Sequence, residues 1–202
     1  MQVTKIQEIT KNRVKVTVDN EFSFVLYKGE LRLYKIKEEC ELIKESYDEI
    51  FNIVLPKRAK LRAMNLLKIR PYTVKGLTDK LLEGGYPDEI VKVAIEYVSS
   101  YHYLDDLNYA KEYIYTYKDR KNLKTIKFDL IKKGVPKDLI EEALNDELPD
   151  SRDYEQKQII EFINKKKKSY DEFNYENKMK VLASLYRKGY NVELSKKLLD
   201  IT

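Results

Sequence analysis

The chain has 202 residues, of which 43% are hydrophobic and 36% charged, with only six glycines and five prolines. That balance excludes a disordered chain and favours a helix-leaning fold of one large domain or two to four small units. No apolar run approaches the roughly 20 residues that span a bilayer, and a single cysteine, Cys40, leaves no intrachain disulfide to form.

The first residues, MQVTKIQEIT, alternate apolar and polar side chains. No signal peptide is therefore expected, and the expected compartment is the cytoplasm. The net charge of +5 is mild, but it is unevenly placed. Residues 57–104 carry nine Lys/Arg against five Asp/Glu, and residues 151–202 carry twelve against eight. Residues 1–56 and 105–150 are slightly acidic. Basic character in two separated blocks is compatible with an anionic polymer as partner.

In chain order, residues 1–27 are the place where a period of two is legible. Val14, Val16 and Val18 alternate, as do Phe22, Phe24 and Leu26, and Asp19-Asn20-Glu21 between them reads as a hairpin turn. Val3, Ile6 and Ile9 supply an earlier apolar segment. A small antiparallel sheet is expected here. Ser46-Tyr47-Asp48-Glu49 has the spacing of a capping box, so a helix is expected to start at Ser46 with Ile50, Ile53 and Val54 on one face. Pro56 then either kinks that helix or opens the next one in its first turn.

From residue 57 the pattern turns helical and repeats. Gly85, Gly134 and Gly189 serve as alignment points. Eight residues before each glycine stand Leu77, Ile126 and Val181; four before stand Leu81, Leu130 and Leu185; three before stand Leu82, Ile131 and Tyr186. Apolar residues return after the glycine at Tyr86, Val135 and Tyr190, at Ile90, Leu139 and Leu194, and at Ala94-Ile95, Ala143-Leu144 and Leu198-Leu199. Thr73, Asn122 and Asn177, twelve before each glycine, are good N-cap residues. The glycine suits the left-handed position that ends a helix, and Pro87 and Pro136 suit the start of the following one. Leading helices near 61–69, 107–118 and 154–168 complete three units of three helices. The expected fold is mainly α: tandem three-helix repeats in an elongated array behind a small N-terminal sheet. The expected boundaries are 1–56, 57–104, 105–150 and 151–202.

These residues carry a resemblance. Arg70-Pro71-Tyr72-Thr73, followed by Leu77, Leu81-Leu82 and Gly85-Tyr86-Pro87, resembles the first repeat of the RecX family. Tyr103-Leu104-Asp105-Asp106 with Tyr109-Ala110-Lys111-Glu112-Tyr113 is similar to the family's "YLDD…FA" signature. Ile126, Leu130-Ile131, Lys133-Gly134-Val135 and Glu141-Glu142-Ala143-Leu144 resemble its second repeat. The match is good over 57–145, and the three-unit layout extends it to the end. His102 stands where the family often has glycine, Leu107-Asn108 replace an acidic–basic pair, and Asn191 replaces a proline. The resemblance implies a regulator that lies in the groove of the RecA–DNA filament, limits its growth, and dampens recombination and RecA-stimulated repressor cleavage. Some members also bind DNA directly.

Catalytic chemistry is not expected, nor is a cofactor or metal. One histidine and one cysteine cannot build a triad or a zinc site, and the scattered glycines form no phosphate loop. His102 reads as a surface residue and Cys40 as an inert small side chain. Asp105-Asp106 reads as a helix start. The seventeen tyrosines read as filling between helices more than as base-stacking groups. The run Lys165–Lys168 reads as a solvated helix end. Candidate contacts for filament or DNA are Arg58, Lys60, Arg62, Arg70, Lys75 and Lys80 in the first basic block, ranked ahead of the lysine run. Lys124, Lys127, Lys132 and Lys133 in the second repeat and Arg187 and Lys188 in the third are further candidates. The expected partner is the RecA filament, with single- or double-stranded DNA as a second ligand and a monomeric state. The alternatives are a DNA-binding helical repeat protein and a helical adaptor for an unrelated protein.

Overall fold

The computed structural model describes residues 1–201. Strands β1 (Val3–Thr10), β2 (Arg13–Val18) and β3 (Phe22–Tyr27) form an antiparallel sheet in the order β1-β2-β3. Val14 pairs with Leu26, Val16 with Phe24 and Val18 with Phe22, and all but the half-buried Phe22 are buried. The β2–β3 turn uses left-handed Asp19 (φ 52°) and Asn20 (φ 57°), two residue types that tolerate that region. The pairing of β1 with β2 shifts register between Val3 and Lys5 and again between Glu8 and Thr10. These irregularities explain why Val3, Ile6 and Ile9 lie three apart, and why only Val3 is fully buried.

A short helix, α1 (Lys28–Leu33), follows the sheet directly, with the Tyr27 N–H donating to the Glu30 carboxylate at 2.7 Å. Helix α2 (Lys44–Glu49) starts two residues before the expected capping box; Ile43 is its N-cap and no side chain caps it. A π-helical turn, Ile50–Val54, joins it to α3 (Leu55–Ile69). The Leu55 N–H reaches back to the Ile50 carbonyl, and this extra residue in the turn rotates the apolar face. Ile50, Phe51 and Leu55 are buried while Ile53 is 61% exposed, which corrects the expected Ile50/Ile53/Val54 face. Pro56 sits in the first turn of α3, where its missing N–H costs nothing. The Phe51 ring meets Phe24 edge-on at 5.0 Å and stacks on Tyr47 at 4.4 Å, fastening the helix to the sheet.

Helices α4 (Val74–Glu83) and α5 (Asp88–Ser100) complete the first three-helix unit, with Ala59 and Ala63 of α3 buried where α5 packs. The sheet and these helices share one continuous core from Val3 to Leu104, so nothing separates them at residue 56. The chain divides into two compact units, residues 1–105 and 106–202. The second holds α6 (Asp106–Tyr117), α7 (Leu123–Lys132) and α8 (Lys137–Glu147), then α9 (Ser151–Lys167), α10 (Tyr175–Lys188) and α11 (Val192–Leu199). Its two cores centre on Ile114, Ile126 and Leu130, and on Ile159, Val181 and Leu185.

The repeat register holds where the helix period requires it. Leu77, Ile126 and Val181 are buried, as are Leu81, Leu130 and Leu185 one turn later. The column three before the glycine points away from the core: Leu82, Ile131 and Tyr186 are 38%, 46% and 67% exposed. A position one residue past the buried stripe turns about 100° off it. After the glycine, the most buried column is Val91, Ile140 and Ser195, one residue beyond the expected Ile90, Leu139 and Leu194. Ser195 masked this column, being polar; its hydroxyl donates to the Asn191 carbonyl at 2.6 Å.

All three glycines are left-handed, with φ of 82°, 85° and 86°. At each the following N–H reaches five residues back, Tyr86 to Leu81, Val135 to Leu130 and Tyr190 to Leu185, closing a Schellman turn. Thr73 and Asn122 cap their helices as expected, accepting from Gly76 at 3.0 Å and Thr125 at 2.8 Å. In the third repeat the cap is Asn174, three residues earlier than expected. Asn177 is inside the first turn, where its N–H donates to Asn174 and its side-chain amide to the Glu172 carbonyl. Pro87 and Pro136 are N-caps of α5 and α8. Asn191 holds the matching place before α11 and accepts from Leu194 at 3.0 Å, so the residue that replaces proline supplies a side-chain cap instead.

Candidate partner-binding surface

Many of the basic candidates are committed within the fold. In the first repeat, Arg58 on α3 pairs with Glu30, donates to the Val25 carbonyl at 3.4 Å and lies 4.5 Å over the Tyr27 ring. It staples α3 to β3 and α1 before it can serve a partner. Lys75 pairs with Asp79 at 2.5 Å, and Lys80 with Glu83 at 2.6 Å. Lys60 and Arg70 sit over Tyr97 and Tyr72 at 4.8 and 4.6 Å. Arg62 is exposed and forms no ion pair with a described residue.

Arg58 and Arg62 nevertheless share a cleft of about 280 Å³ with Arg13, Tyr27 and Tyr86. Burial pushes the Tyr86 hydroxyl's pKa up, while the charges of Arg58, Arg13 and Arg62 pull it down, so all three guanidiniums act on it. Arg13 also donates to the Gly84 carbonyl at the end of α4. Nothing local marks Arg13 in the sequence, because it belongs to a β-strand in a slightly acidic segment.

In the second repeat, Lys127 pairs with both oxygens of Glu141 at 2.7 and 2.8 Å. Lys133 lies over Tyr109 and Tyr113 at 6.0 and 5.5 Å. Lys124 and Lys132 are exposed. Lys121 makes the strongest contacts there. Its ammonium donates to Asp129 at 2.6 Å and to the Tyr113 hydroxyl at 2.8 Å. The Lys121 hydrogen bond holds the Asp129 carboxyl below the usual carboxylate range.

The third repeat brings together what the sequence kept apart. Lys165 and Lys166, in the last turn of α9, face Arg187 and Lys188 at the end of α10 across a cleft of about 510 Å³ with Phe162 and Ser184. Lys166 and Lys188 lie 6.0 and 5.6 Å from the centre of the Phe162 ring. None of the four cations forms an ion pair with a described residue. The lysine run is a helix end, as expected, and also one wall of a basic cleft. A signal existed in the sequence: Phe162 stands three and four residues before Lys165 and Lys166, hence on the same helical face.

Other singled-out residues have structural places. His102 is exposed and left-handed (φ 57°) after α5, and its N–H donates to the Ser99 carbonyl at 2.9 Å. That conformation suits glycine, the residue often found there in the family it resembles. Asp106 opens α6. Cys40 is exposed. Eleven tyrosines are half-buried between elements, and six, among them Tyr101, Tyr103 and Tyr186, are exposed. Among the described residues no helix is long and apolar enough to cross a membrane.

Comparison with known proteins fits this architecture. Residues 59–97 match the model for the first three-helix domain of RecX. Over 204 residues the chain is 31% identical to the regulatory protein RecX of Caldanaerobacter subterraneus subsp. tengcongensis, covering all of both chains. It is 32% identical to that of Clostridium perfringens, over 94% of this chain and 89% of the relative. A crystal structure of regulatory protein RecX shares the fold with a TM-score of 0.66 at 21% identity, covering 98% of each chain. RecX from Lactobacillus salivarius matches with a TM-score of 0.65 at 23% identity, over 72% of this chain and 95% of that one.

Proposed function

This chain belongs to the RecX family of regulatory proteins, and from that premise we propose that it binds the RecA nucleoprotein filament and restrains its recombinase and co-protease activities. The observation that carries this reading is the identity of 31% to a regulatory protein RecX along the whole of both chains. The protein acts by docking, in the cytoplasm and without a chemical step of its own. Exposed repeat positions such as Leu82, Ile131 and Tyr186, together with unpaired cations, are the kind of mixed surface that a protein–nucleic-acid filament can cover.

The test is the ATPase of RecA on single-stranded DNA, titrated with this protein. A filament-bound regulator affects many subunits, so activity falls at protein concentrations below that of the recombinase. A response that stays flat up to equimolar protein with a matched RecA overturns the proposal and leaves an adaptor for an unrelated partner.

A further inference from the structure

We infer that the cleft between the ends of α9 and α10 is a binding site for the phosphate backbone of a single nucleic-acid strand, and that it works without any recombinase. The first support is the absence of internal neutralisation. Lys165, Lys166, Arg187 and Lys188 line one cleft with no carboxylate among its lining residues. Several lysines elsewhere are neutralised by acids: Lys75 by Asp79, Lys80 by Glu83, Lys111 by Asp146, Lys127 by Glu141 and Lys180 by Glu176. Unpaired lysines occur elsewhere too, and what sets these four cations apart is that two helix ends bring them to one concavity.

The second support is preorganisation. Lys166 and Lys188 come from different helices, yet both ammonium groups lie within 6.0 Å of the Phe162 ring centre. The negative face of an aromatic ring attracts each cation, while the two repel one another. An anion between them removes that repulsion without requiring either side chain to be gathered from solution, so less rotamer entropy is lost on binding.

The third support selects the chemistry. The cations continue beyond the cleft: Lys167 lies 5.9 Å over Phe173, and Lys168 caps α9. A row of closely spaced charges matches the repeating charge of a phosphodiester chain better than it matches scattered carboxylates. Lysine serves as a point charge that accepts a phosphate in many orientations, whereas planar carboxylate recognition favours arginine forks. The one arginine here already donates to the Ser184 hydroxyl at 3.3 Å. Phe162 is packed against the third core and overlain by cations, so its ring is not free to stack on bases. The resulting contact is to backbone, without sequence preference and strongly dependent on salt.

The experiment uses the full chain, no recombinase, and a fluorescein-labelled oligothymidylate, with anisotropy followed across a salt series. The wild-type protein binds, and Lys166→Ala/Lys188→Ala weakens binding on the order of tenfold or more at low salt. The log–log salt slope becomes shallower by about 1.4, two phosphate contacts at about 0.7 each. Lys166→Arg/Lys188→Arg keeps the affinity, and Lys111→Ala/Lys180→Ala, which removes two paired lysines outside every candidate contact set, changes it little. As a readout on unaltered protein, acetylation of Lys166 and Lys188 is slowed by the oligonucleotide while that of Lys180 is not. No binding at low salt, an equal loss in the Lys111/Lys180 pair, unprotected lysines, or equally effective competition by polyglutamate would each overturn the site. Polyglutamate competition would point to an acidic protein surface. The ATPase titration above and this measurement fail independently.

Discussion

Asn122 is the residue whose replacement best separates two contributions to the second unit. Its side-chain oxygen accepts the Thr125 N–H at 2.8 Å, capping α7, while its side-chain amide donates to the Lys188 carbonyl at the end of α10. It is buried, so neither group is readily replaced by water. Asn122→Ala removes both: about 1 kcal/mol for the cap and about 1 kcal/mol for the hydrogen bond, together about 2 kcal/mol. Asn122→Thr restores the cap in the form Thr73 uses in the first repeat but cannot donate to the Lys188 carbonyl, so it should cost about 1 kcal/mol. Thr73→Ala removes a cap alone and serves as the reference, at about 1 kcal/mol. Urea unfolding of the full chain, followed by far-UV circular dichroism, gives the losses. Hydrogen exchange at Thr125 assigns them to the second unit, which need not unfold together with the first. Equal losses for Asn122→Ala and Asn122→Thr would show that the tie to α10 contributes nothing. A neutral Asn122→Ala would refute the whole account.

Leu130→Ala should cost about 2–5 kcal/mol, since the side chain is fully buried in the second core and its removal leaves a cavity; undiminished stability in denaturant would contradict the repeat register. Asp129→Asn should lower stability by about 1 kcal/mol at neutral pH and leave it unchanged in acid. The folded carboxyl has a lowered pKa because of Lys121, so its contribution is fully present above the unfolded value near 4 and disappears as the pH falls through the folded one. Urea midpoints of the two proteins should therefore converge as the pH falls below the unfolded value and through the folded one, and a gap that stays constant into acid would count against the Lys121–Asp129 pair as its source.

How legible this was in the sequence depended on whether local chemistry and tertiary chemistry coincided. The glycines at 85, 134 and 189 were readable because a left-handed helix end favours one residue type whatever surrounds it. Leu81, Leu130 and Leu185 were readable because one buried stripe imposes one period. The face of residues 50–55 was not, because a π-turn ahead of Pro56 changes the period within five residues. Asn177 misled for a simpler reason: Asn174 is as good a cap, and a cap motif does not say which of two starts the helix will use. The pairing of Arg58 was not legible because charge is visible in sequence but its neutralisation is not, and Glu30 lies 28 residues away. The Phe162 cleft needed the ends of two helices, and only half of it lies on α9.

The first and third repeats use one local device for different joints. In the first, Gly85 is where α4 meets the sheet: a Cβ there would stand 2.2 Å from the Val25 side chain, and the adjoining Gly84 carbonyl is taken by Arg13. In the third, the helix end before Gly189 meets the second repeat. The Lys188 carbonyl is taken by Asn122, and a Cβ on Gly189 would come within 3.3 Å of the Lys124 side chain. The glycine turn thus does more than stop a helix. It presents a bare backbone end whose carbonyls are satisfied by the preceding element, which is how neighbouring units of a repeat protein stabilise one another. Gln158 reinforces the same junction by donating to the carbonyls of Lys118 and Lys121 from α9. Lys188 stands at the crossing of both themes, its carbonyl fixed by Asn122 and its ammonium over Phe162. The joint between the second and third repeats therefore also sets one wall of the basic cleft, so packing energy spent on the fold is what holds those charges in place.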